Sequence, residues 1–145
     1  VVKIEEAKVF LNQVYKAKQI CLRCNADLEE LRNTSSLLVV AYNEHINGGN
    51  KKHDTGDFIC KLQQQEQELE HLKLEWLNKR IEVKSFLDNI SANENIKNVL
   101  ILRYVSLLKW EEVAIKLNKS YGWVHRLKDK GLEIVAKNLK SGVQK

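Results

Sequence analysis

The sequence contains no proline and no methionine, and only six glycines and three cysteines among its 145 residues. Without proline nothing forces a helix to kink or stop, and so little glycine leaves few of the tight turns that sheets need. Leucine, lysine, glutamate, isoleucine and asparagine are abundant instead, so an all-α fold is expected. No apolar run approaches the length of a bilayer span, the longest covering residues 37–42, and the N-terminal stretch lacks the apolar core of a signal peptide. The expectation is an intracellular, cytoplasmic protein with no membrane contact. Lacking methionine at its start, the chain is expected to be processed or trimmed there.

Other absences narrow the chemistry. Cys21, Cys24 and Cys60 make no even disulfide framework. Cys21 and Cys24 have zinc or redox spacing, but they lie inside a helical pattern with no second pair, so a reduced core thiol at Cys21 is the better reading. His45 and His53 have no carboxylate or thiol cluster beside them, and no metal or cofactor is expected. The sequence also shows no Ser/His/Asp arrangement, no phosphate-cradling glycine loop and no paired-carboxylate pocket, so no enzyme is expected.

What is present is helical periodicity. Ile4, Ala7, Leu11, Val14, Cys21 and Leu28 recur at alternating steps of three and four, with Lys18 and Asn25 in the gaps. They predict a helix over about residues 3–32, roughly 45 Å long at the usual rise. Ile59, Leu62, Leu69, Trp76, Val83, Leu87 and Ile90, flanked by Leu72 and Phe86, predict a second over about 57–89. Two such stripes cannot be buried alone. The simplest arrangement is a long N-terminal antiparallel helical hairpin, coiled-coil-like, over residues 1–90. Lys18 and Asn25 at stripe positions point to a homodimer through these N-terminal helices; the alternative is that Lys18 snorkels to solvent from an intramolecular hairpin. Residues 33–56, rich in Asn, Ser, Thr, Gly and Lys, read as a flexible linker, with 47–52 mobile and the apolar island 37–42 extending a helix or docking on the hairpin.

Ser91 followed by Glu94 fits a capping box, placing a domain boundary near 88–92 and a short, mechanically coupled joint to a C-terminal domain over 91–145. There Val99, Leu100 and Leu102 to Tyr104 form an apolar helix. A break at 106–109 precedes a short helix with Val113, Ala114 and Leu117 inside, then a turn at Asn118 and Lys119 and a third helix with Val124 and Leu127 inside. Ala114 suits a helix crossing, Asn118 tolerates the left-handed turn, and Ser120 can cap the third helix. Gly131 suggests close approach of another helix. The pattern is a helix-turn-helix, and a purely trihelical packing module is its bland alternative. Charge favours double-stranded DNA as partner: from Glu94 onward eleven Lys/Arg stand against five Asp/Glu, net +6, whereas the preceding residues carry thirteen against fourteen, net −1.

On the third helix Tyr121, Gly122, His125, Arg126 and Asp129 are expected outside, with Trp123 on the shoulder. Arg126 could bond a guanine edge; Tyr121, Trp123 and His125 could touch bases, thymine methyls or sugar-phosphate; Lys119, Lys128 and Lys130 suit phosphates. Trp123 packing beside Leu127, and Lys128 and Lys130 as a solvated face, are the alternatives. Trp110 is expected between helices.

Arg103-Tyr104, Trp110-Glu111-Glu112-Val113-Ala114, then Ser120, Val124, Leu127, Lys130 and Leu132 resemble the region 4 DNA-binding module of bacterial sigma factors. With Leu102-Arg103-Tyr104-Val105 and a preceding helical hairpin, the chain is similar to phage-encoded regulators of the ArpU and RinA type. Lys109 stands where that pattern often has a Ser or Thr cap, and Asn118 replaces a frequent Gly; Glu111 and Glu112 still complement the helix end. The resemblance implies a sequence-specific transcriptional regulator of phage or prophage genes, of late-gene activator type, bound to the nucleoid of a bacterial host, with RNA polymerase a candidate partner. No aromatic-rich melting segment precedes the module, so a full sigma factor is not expected. A phage small-terminase-like DNA-packaging protein and a coiled-coil protein-interaction adaptor are the alternatives.

Overall fold

The computed structural model describes residues 2–44 and 52–140. The elements are α1 (Val2–Leu11), α2 (Gln13–Glu44), α3 (Lys52–Asn89), α4 (Glu94–Leu100), a π-helical segment (Ile101–Val105), α5 (Trp110–Leu117) and α6 (Tyr121–Lys140). The Asn12 N–H donates to Lys8 O at 2.9 Å and the Lys16 N–H to Asn12 O at 3.0 Å, so α1 and α2 form one continuous helix. The π segment likewise continues α4. Counted this way, the described residues form five helices and no strand, an all-α fold.

The expected linker over 33–56 is corrected at both ends. Helix α2 runs on to Glu44 and takes the apolar island with it, while α3 already begins at Lys52 and includes His53. Polar composition misleads here because Thr34 returns its hydroxyl to Glu30 O at 3.0 Å, an i to i−4 bond that leaves the helix intact. His45, Gly48, Gly49 and most of the stretch read as mobile lie outside the described residues.

The chain divides into two compact units, Lys18–Glu75 and Val1–Ala17 with Trp76–Lys145. In the first, α2 buries Cys21, Cys24 and Leu28 and α3 buries Leu69. Arg32 Nη2 meets Glu66 Oε2 at 3.1 Å. Asn25, Arg32, Glu66 and Lys73 help line an open, polar groove of about 680 Å³.

In the second unit the stripe residues Ala7, Leu11 and Val14 share a core with Val83, Leu87 and Ile90, and the Phe10 and Phe86 rings lie 4.8 Å apart. The same core takes in Ile96, Leu100, Tyr104 and Val105, then Leu132, Val135 and Ala136 of α6. Each fully buried Leu or Val contributes roughly 1.5–3 kcal/mol, so α6 is anchored by helices from both ends of the sequence. The junction at 88–92 is a bend in the chain across which packing is continuous. Its cap is Asn93, not Ser91: Asn93 Oδ1 accepts the Asn95 N–H at 2.8 Å. Lys97 Nζ reaches back to Asp88 O at 3.1 Å, satisfying a carbonyl that the end of α3 leaves free.

Candidate nucleic-acid interface

The turn between α5 and α6 is fixed by local chemistry. Asn118 adopts φ 56° and ψ 45°, the left-handed conformation that Asn tolerates better than most residues. The Asn118 and Lys119 N–H groups then donate to Ile115 O at 3.1 Å and Ala114 O at 3.0 Å, closing the end of α5. Ser120 Oγ accepts the Trp123 N–H at 3.1 Å and opens α6. Beneath the turn, Val99, Val113, Ala114 and Val124 form a small core flanked by Leu102, Leu117 and Trp123.

The other end of α5 is set by features that the sequence does not announce. The Ser106 N–H donates to Ile101 O at 2.9 Å, a π-type bond, and Leu107 then takes a positive φ of 60°. For a leucine that conformation costs about 1–2 kcal/mol, and its side chain packs on the large core. Arg103 Nη1 caps the loop by donating to Leu108 O at 2.9 Å. At Lys109, where a Ser or Thr cap would accept a bond, the lysine side chain has no acceptor. Instead its backbone N–H donates to Glu112 Oε1 at 2.9 Å, half of a capping box.

Trp110 starts α5 and packs against both cores, between helices as expected. Its ring stands nearly perpendicular to that of Tyr104, with centroids 6.2 Å apart, and lies 5.1 Å from the His125 ring. The Arg103 guanidinium lies 5.0 Å from its centroid and Lys128 Nζ 5.7 Å. Burial pushes the Tyr104 phenol above its ordinary range, with the Arg103 charge opposing the shift.

The nine residues expected at the interface divide into two groups. Lys119, Ser120, Tyr121, Gly122, Arg126 and Lys130 are exposed along the turn and the first half of α6. Trp123, His125 and Lys128 are half-buried. Trp123 lies on the small core with Lys119 Nζ 5.3 Å from its centroid. Lys128 extends over Trp110 and pairs with Asp129 at 3.4 Å. His125, expected outside, is turned between Trp110 and Tyr121, whose ring is 4.2 Å away. Its Nε2 is shielded from solvent and has no hydrogen-bond partner among the described residues, so that nitrogen is not offered outward. Trp110, the first residue of α5 after the left-handed Leu107, covers the His125 ring. Asp129 and Glu133 add exposed carboxylates beyond Arg126.

Among the described residues no three His, Cys, Asp or Glu side chains gather as a metal site, and no helix is long and apolar enough to cross a membrane. No match is found among curated proteins or solved structures. The family described as "Protein of unknown function (DUF1492)" matches residues 34–135, from the last third of α2 through most of α6, and the chain belongs to that family.

Proposed function

We propose that this chain is a sequence-specific duplex-DNA-binding protein of the transcription-regulator kind, in which α5 and α6 act as a helix-turn-helix and the first half of α6 enters the major groove. The carrying observation is that Lys119, Tyr121, Arg126 and Lys130 are all exposed, on and after a turn held by Asn118 and Ser120. In this reading Arg126 meets a base edge while Lys119 and Lys130 neutralise phosphates. The net +6 charge of the residues from Glu94 onward supports the same partner. The long helices form the antiparallel hairpin of a regulator resembling the phage ArpU and RinA type, and a second copy pairing through them would present two reading helices. Arg32 facing Glu66 in one unit and Phe10 facing Phe86 in the other support that pairing of chain segments.

The test is titration of the full chain against labelled duplex DNA over a range of salt concentrations. Neutralising several phosphates predicts a log-log slope of roughly −3 to −6. A slope near zero, or no binding at low salt, would defeat the proposal.

A further inference from the structure

Two glycines lie in α6, and only one of them is explained within the chain. At Gly131 a β-carbon would fall 2.9 Å from Leu100 Cδ1, so the crossing of α4 and α6 requires its absence. Gly122 is exposed, and a β-carbon there would meet only Arg126 Nη1, at an ordinary 3.6 Å. Its backbone is helical, and glycine in a helix is less stable than alanine. Neither packing nor backbone conformation therefore accounts for the residue. Its neighbours do suggest a role, since Lys119, Ser120, Tyr121 and Arg126 are all exposed around it.

We infer that Gly122 is a clearance position of the DNA interface. The missing β-carbon lets the backbone of α6 come against the sugar-phosphate edge of a duplex and leaves the Arg126 side chain, which rests beside Gly122, an open path toward the base edges. The inference rests on the DNA-binding reading and deepens it: depth of seating, set by the lack of a side chain, decides whether Arg126 reads a base or only the backbone. A side chain at position 122 would hold the helix away from the groove without removing any charge.

One substitution should then move two properties in opposite directions. Full-length Gly122→Ala is compared with the parent by thermal melting and by titration on a duplex that the parent enriches from a randomised-site pool. The variant is expected to melt at or above the parent. It should bind that duplex roughly tenfold more weakly, the size of one lost base contact, with an unchanged salt slope because no cation is lost. Gly122→Ser should behave alike. Equal binding by parent and Gly122→Ala would overturn the clearance role alone. A lower melting temperature would assign the glycine to the fold and overturn it too. Failure of the parent to bind any duplex would remove the DNA reading itself, and this inference with it.

Discussion

Gly131 of α6 lies so close to Leu100 of α4 that a β-carbon on the glycine would sit 2.9 Å from Leu100 Cδ1 and 3.1 Å from Ile96 Cγ2. Leu100 is fully buried in the main core, so any shift of its side chain must be taken up by packed neighbours. Gly131→Ala should therefore destabilise the protein by about 1–3 kcal/mol through overpacking, despite alanine's better helix propensity. Denaturant unfolding should show a lower midpoint with little change in slope. A midpoint at or above the parent's would mean that the two helices separate easily at their crossing.

The turn residue Asn118, at φ 56°, makes a second, independent prediction. Asn118→Ala should cost about 1–2 kcal/mol, the penalty for an ordinary residue in the left-handed region, whereas Asn118→Gly should match or exceed the parent. Equal stability of the two variants would show that the turn is not left-handed in solution.

These two positions illustrate which parts of the structure are legible in sequence. Asn118, Ser120 and Gly131 each carry a local chemical reason, and Ala7, Leu11, Val14, Cys21 and Leu28 are found buried because a heptad stripe depends on spacing alone. His125 is different. Its ring is covered by Trp110, which follows a π-type turn and a left-handed leucine that no periodicity signals. The extension of α2 escapes for a related reason: Thr34 is read as linker composition, yet its hydroxyl bonds within the helix. Ser91 and Asn93 are both good caps, and the choice of Asn93 goes with how α3 ends and how Lys97 reaches Asp88.

Tyr104 gives the fold a pH dependence at the alkaline end. Burial raises its phenol above the ordinary 10.0, so folding favours the protonated form. The stability linked to this residue is fully present below the ordinary value and is lost as pH rises through the raised folded value. Tyr104→Phe cannot ionise and should lose less stability over that range. Parallel melts of parent and variant against pH check this, and coincident alkaline declines would remove Tyr104 as a contributor.

Thiol reactivity probes the packing of α2. Cys60 is exposed while Cys21 and Cys24 are buried. Burial foremost, with Glu68, Cys21 and Asp27 nearby, also pushes the Cys24 thiol up, away from the reactive thiolate. A thiol reagent applied to the native protein should modify Cys60 quickly and Cys21 and Cys24 only slowly until denaturant is added. Rapid modification of all three would mean that the stripe through Cys21 and Leu28 is not packed.

The claim that α6 reads sequence is tested most directly by randomised-site selection on the full chain, run for the parent, Arg126→Ala and Lys119→Ala. The parent should enrich a defined motif. Arg126→Ala should lose about 1–3 kcal/mol on that motif and relax one base position, whereas Lys119→Ala should weaken all sequences alike and preserve the motif. No enrichment by the parent, or the same motif from all three proteins, would contradict base reading by Arg126.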